Sequence, residues 1–151
     1  MSRSSAALPG ASRFTHPLST LQNLADEVLG HARKAGASAC EVDVSEGFGQ
    51  SVMVRCGEVE TIEYNRDKGI GVTVYLGQRK GNASTADFST AALRETVEAA
   101  LNIARFTAAD PCAGLPEAHL LANRTDAAQD LDHYPPWHPR VQQAIELARR
   151  C

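Results

Sequence analysis

The sequence predicts an α+β domain in which a mostly antiparallel sheet of about five strands carries two helices packed on one face. Three observations predict it. Two stretches repeat apolar residues three and four positions apart, the period of a helix with one face turned inward. Between them the period falls to two, as in half-buried strands. Glycine-bearing breaks divide that alternating region into short segments joined by hairpin-like connections.

The first helix is expected over residues 18–34, with Leu21, Leu24, Ala25, Val28, Leu29 and Ala32 on its inner face and Gly36 as a left-handed stop. Alternation then begins at Cys40, Val42 and Val44 and resumes at Val52, Val54 and Cys56. Gly47-Phe48-Gly49 reads as the hairpin connection between them, and the two cysteines fall on apolar positions where a free thiol behaves as a small hydrophobe. Residues 59–65 alternate so that Ile62 and Tyr64 face a core, and Arg66-Asp67-Lys68-Gly69 reads as a turn. Ile70, Val72, Val74 and Leu76 give the clearest strand. Gly77-Gln78-Arg79 turns it into residues 80–87, small and polar, which suits a sheet edge or a place where another backbone comes close.

Ser89 is a suitable N-cap for the second helix, whose inner face holds Leu93, Val97, Ala100, Leu101 and Ala104 and which stops near Thr107, ahead of Asp110-Pro111. Residues 109–138 read as a proline-rich connection. A further helix is expected from Pro139, with Val141, Ala144, Ile145 and Ala148 on one face, and it meets no stop signal before Cys151, as the truncated start of a following domain would. Residues 1–17, Ser- and Ala-rich, read as a disordered tail, leaving 18–108 as the α+β domain.

Composition narrows the function. The 15 Lys and Arg against 18 Asp and Glu leave a net charge of -3, without a dense basic cluster, so direct nucleic-acid binding is not expected. The N-terminus lacks the continuous apolar region of a secretory signal, and no stretch approaches the ~20 apolar residues that span a bilayer. Four cysteines without a C-x-x-C pair or a histidine at zinc-finger spacing fit a reducing compartment. The location expected is therefore cytoplasmic.

No complete active site is expected. His16, His31, His119, His133 and His138 form no H-E-x-x-H or H-E-x-x-x-H arrangement, and Pro135 and Pro136 exclude the helix that would place His133 and His138 on one face. Gly69-x-Gly71 lacks the third glycine and helix start of a phosphate cradle. Glu58, Glu60 and Glu63 are explained by an exposed polar face, and a Cys112 nucleophile would need a histidine such as His119 beside it. Asn65, Arg66, Lys80 and Asn82 flank turns and the candidate edge strand. They are either simply solvated or form a surface for an extended peptide or partner subunit.

The strings Gly57-Glu58-Val59-Glu60-Thr61-Ile62-Glu63-Tyr64-Asn65, Gly69-Ile70-Gly71-Val72-Thr73-Val74-Tyr75 and Arg79-Lys80-Gly81-Asn82-Ala83-Ser84-Thr85-Ala86-Asp87 resemble, in this order, the first domain of the TldD/PmbA metallopeptidase family. Asp110-Pro111-Cys112-Ala113-Gly114 resembles the PmbA (TldE) branch. The resemblance runs from about residue 18 to 114. It implies a cytoplasmic peptidase of two related subunits, in which the TldD-like partner bears an H-E-x-x-x-H zinc motif and the PmbA-like subunit is non-catalytic. It also implies peptide or small-protein substrates such as microcin precursors and antitoxins. The family's zinc site lies beyond this sequence, so no metal, cofactor-binding or catalytic residue is expected in the chain itself. An older label, modulator of DNA gyrase, supplies the alternative of an interaction or gyrase-modulating module without peptidase activity.

Overall fold

The computed structural model describes residues 14–121 and 139–151. In chain order these form α1 (Leu18–Lys34), β1 (Ala39–Arg55), β2 (Glu58–Leu76), β3 (Arg79–Thr85), α2 (Thr90–Phe106), a 3-10 turn (Ala118–Leu120) and α3 (Val141–Arg150). The strands make one antiparallel meander in the order β1-β2-β3.

Both central helices keep the limits that their periodicity predicts. Gly36 ends α1 at φ 93°, a conformation that costs glycine little, and Ala37 N–H returns to the Ala32 carbonyl at 3.0 Å. Ser89 caps α2, its Oγ accepting from Ala92 N–H at 3.4 Å, while Asp87 accepts from Ser89 N–H at 2.8 Å. That amide holds the Asp87 carboxyl below its ordinary range.

The helices lie on one face of the sheet because its inward residues are the apolar ones. Val28 and Ala32 of α1 meet Leu93, Val97, Ala100, Leu101 and Ala104 of α2 over Ile70, Val72 and Val74 of the middle strand, all fully or almost fully buried. Burying each of the larger aliphatics contributes about 1.5–3 kcal/mol. Cys40, Val42, Val44 and Ala83 extend this layer on the flanking strands.

Gly81 of β3 fixes how close α2 comes. A Cβ at this position would overlap the Ala100 carbonyl oxygen and stand 2.5 Å from Ala104 N, so the helix backbone rests directly on the strand. Both expectations for this segment hold: it is the sheet edge, and another backbone approaches it.

Among the described residues the strand count is three, not about five. Gly47-Phe48-Gly49 is no hairpin connection, and Arg66-Asp67-Lys68-Gly69 is no turn. They lie opposite one another inside two long strands, in the rungs Gly47↔Asp67, Phe48↔Arg66, Gly49↔Asn65 and Ser45↔Gly69. Neither Gly47, Gly49 nor Gly69 has positive φ, so nothing bends the chain there. The actual reversal is Cys56-Gly57, with φ 51° and 83°, between the paired Arg55 and Glu58. Positive φ at both central residues of a two-residue loop is the type I′ pattern. Cys56 is accordingly an exposed turn residue rather than the buried strand residue expected.

β3 pairs only with Ile70–Leu76, so beyond the Ile70↔Thr85 rung the sheet narrows to a two-stranded ribbon of β1 and β2. About eleven residues of β1 give it a length of roughly 35 Å. Ile62 and Tyr64 sit on its extension of the inward face, but past the two central helices. They are 41% and 57% exposed instead of core residues. α3 packs against β1 and buries Ile145. It begins at Val141, with Gln143 Oε1 accepting from Arg140 N–H at 2.8 Å, so Pro139 precedes the helix instead of occupying its first turn.

Candidate functional site

Strand alternation separates the four candidate surface residues. Lys80 and Asn82 stand opposite Tyr75 and Thr73 on the sheet face that carries no central helix, two residues apart on the edge strand β3. Asn82 Nδ2 donates to Thr73 Oγ1 at 2.8 Å, which holds the amide flat across the strands. Asn65 shares that face but lies eight residues along β2 from Thr73, roughly 27 Å away. Arg66 projects from the other face, its guanidinium 5.9 Å from the Phe48 ring centroid across the ribbon. Lys80 and Asn82 thus form one small surface, and Asn65 and Arg66 belong to two others.

Behind Lys80, Tyr75 is 4% exposed and its hydroxyl donates to Glu41 Oε1 at 2.6 Å. That bond, with burial behind it, pushes the phenol up to about 12. Ser38 closes the same end of the sheet, donating to the Tyr75 carbonyl and accepting from Gly77 N–H, each at 2.9 Å. Burial raises the Cys40 thiol, as expected of a small hydrophobe. These groups brace the β2–β3 turn beneath the Lys80–Asn82 surface.

Glu46 is the residue that sequence reasoning passed over. Its side chain is 3% exposed and its carboxylate accepts from Thr15 N–H at 2.6 Å and His16 N–H at 3.0 Å. The available signal was an acid at an inward position of the row Val42, Val44, Glu46, Phe48.

Other acids and nucleophiles are placed apart. Glu58, Glu60 and Glu63 are exposed, with Glu60 facing Arg55 at 3.4 Å. A register shift at Met53/Val54 leaves Glu60 outside the pairing. Cys112 N–H donates to Asp110 and the His119 ring faces Glu117 at 3.3 Å. Among the described residues no group of three His, Cys, Asp or Glu side chains is arranged to hold a metal ion, and no helix is long and apolar enough to cross a membrane. His133, His138, Pro135 and Pro136 lie outside the described residues.

Comparison with known proteins meets this geometry. Residues 40–104, which span all but the first residue of the meander and nearly all of α2, match the PmbA/TldA metallopeptidase domain 1. The chain is 48% identical over 115 residues to the metalloprotease PmbA of Escherichia coli O157:H7, covering 76% of this chain and 25% of that protein. It is 47% identical over 117 residues to the PmbA homolog of Haemophilus influenzae, covering 78% and 25%. The chain therefore spans about a quarter of the length of these relatives. Among solved structures, TldE from Thermococcus kodakarensis shares the fold with a TM-score of 0.57 at 17% identity, over 62% of this chain and 21% of its own. A putative modulator of DNA gyrase from Bacteroides thetaiotaomicron does so with a TM-score of 0.58 at 21% identity, over 64% and 22%. The meander with its close-set α2, the ordered strings along it and the identity to PmbA proteins agree: the chain belongs to the TldD/PmbA metallopeptidase family, on its PmbA (TldE) branch, and holds the N-terminal portion of that architecture.

Proposed function

We propose that this chain is the N-terminal part of a cytoplasmic, PmbA-like, non-catalytic subunit in a zinc metallopeptidase complex that processes peptides or small proteins. The observation that carries the proposal is the 48% identity, over 115 residues, to a metalloprotease PmbA. In this proposal the zinc belongs to a TldD-like partner, and the present domain contributes binding surface. Among the described residues β3 is an edge strand, which supports that role, because an edge strand offers unpaired backbone donors and acceptors to an extended segment. Lys80 and Asn82 flank that edge on the face without central helices.

The test uses the full-length protein that carries this domain, co-expressed with a TldD-like subunit. Co-elution, and peptide cleavage that rises when both are present, is the expected result. Equal cleavage by the TldD-like subunit alone, with no co-elution, refutes the proposal. The name of the Bacteroides neighbour raises a gyrase-modulating role, but a net charge of -3 gives such a module little with which to hold DNA.

A further inference from the structure

We infer that Glu46 is a clasp by which the segment preceding α1 holds the base of the β1–β2 ribbon, setting how freely that ribbon moves on the sheet. The place is specific. Glu46 pairs with Lys68, two residues past the last rung that β2 shares with β3, so it stands where three strands become two. A two-stranded ribbon is marginally stable by itself, and its first rungs need support from elsewhere.

Four segments meet at this point. Thr15 and His16 donate their backbone N–H groups to the two carboxylate oxygens of Glu46, and His16 Nδ1 lies 3.1 Å from Oε2. The His16 ring packs on Phe88, between β3 and α2, at 5.4 Å between centroids. Lys68 Nζ stands 4.7 Å from the centroid of the Phe88 ring, and Asp87 beside Phe88 feels the Lys68 charge. The strap therefore closes on the carboxylate of β1, and its His16 ring ties that point to Phe88 of the β3–α2 connection, on which Lys68 of β2 also rests.

The same carboxylate serves α1. That helix begins after Pro17, with no side-chain cap and no acid in its first turn. An anion fixed just ahead of it favours the positive end of the helix dipole. A carboxylate withdrawn from solvent is costly unless its lone pairs are used, and these two backbone donors use them. They also hold the Glu46 carboxyl down at about 2, so the clasp stays ionised through the ordinary pH range.

Hydrogen–deuterium exchange on the 151-residue chain tests the inference by comparing the ribbon, residues 47–67, with β3 and α2. Glu46→Gln keeps the side chain's shape but replaces one acceptor oxygen by a donor and removes the charge. It should speed ribbon exchange about tenfold, the effect of losing roughly one charge-assisted bond, while β3 and α2 exchange as before. A chain beginning at Pro17 should show the same selective change, because it lacks the strap altogether. His16→Ala should change exchange less, since both backbone bonds survive. Unchanged ribbon exchange in either E46Q or the shortened chain overturns the inference. So does acceleration spread equally over β3 and α2, which would make Glu46 a general stabilising residue only.

Discussion

Replacing Gly81 by alanine should be the most damaging single-methyl change in the domain. The added Cβ would overlap the Ala100 carbonyl oxygen, stand 2.5 Å from Ala104 N and 3.0 Å from Ala104 Cβ. Two of these three atoms are helix backbone, which no side-chain rotation can move. Reaching ordinary contact at 3.4 Å requires α2 to lift from the strand by more than 1 Å, and a gap of about 1 Å already forfeits up to half of each dispersion contact along the seam. Leu93, Val97, Leu101 and Ala104 all lose packing at once, because they lie on the same helix face. The expected cost is about 3 kcal/mol, the upper part of the range for overpacked cores, or a fall in Tm of roughly 10 °C. Gly71→Ala is the matched control. Its Cβ would meet only Asp43 Cβ at 3.9 Å, and its φ is not positive. That variant should be neutral or slightly stabilised, since alanine narrows the unfolded ensemble. Thermal unfolding followed by circular dichroism reads both variants. A G81A chain melting with the parent, or a G71A chain falling equally far, would refute the close-packing argument.

Cys56→Asn should stabilise the chain by about 1 kcal/mol in denaturant titration, because asparagine tolerates the left-handed conformation of a type I′ turn better than cysteine; a lower midpoint would mean that the turn is of another type. Leu101→Ala, at a residue 1% exposed, should cost about 2–5 kcal/mol. Phe106→Ala, at a residue 91% exposed, should stay within roughly 0.5 kcal/mol, and reversal of that order would mean that α2 packs through its other face. Tyr75 ionises late, up to about 12. Its folded-state value is raised, so its contribution to stability is complete below the ordinary phenol range and is lost as pH rises through about 12. An ultraviolet titration should show one late phenol that disappears in Tyr75→Phe, and persistence of that step in the variant would reassign it.

The helices were legible because their signals are local. Leu93, Val97, Ala100, Leu101 and Ala104 declare one face, and Ser89 and Thr107 bound it within the same stretch. The strand count was not legible, because what keeps Gly47-Phe48-Gly49 extended is the Arg66-Asp67-Lys68-Gly69 segment opposite it, and each looks like a turn only when read alone. Cys56 hid the real turn for the complementary reason: cysteine rarely takes positive φ, so only the glycine after it marked the place. At the surface, sequence position put Lys80 and Asn82 near an edge, which they flank. It could not tell that Arg66 leaves from the opposite face to Asn65, since face follows from continuous strand pairing there. Glu46 needed partners thirty residues away, and periodicity carries no such information.

The meander also bears on how the chain reaches its fold. Every strand pairs with its neighbour in sequence through a two-residue loop, so pairing can spread rung by rung from Cys56-Gly57 and from Gly77-Gln78 without closing a long loop first. Topologies built from such contacts fold faster than those needing distant strands to meet. The left-handed cysteine lies at the starting point of the longer zipper, so relieving it should accelerate folding as well as stabilise the product. The contacts of α1 with α2 and of the strap with Glu46 join segments far apart in sequence, and their formation waits on the sheet that brings them together.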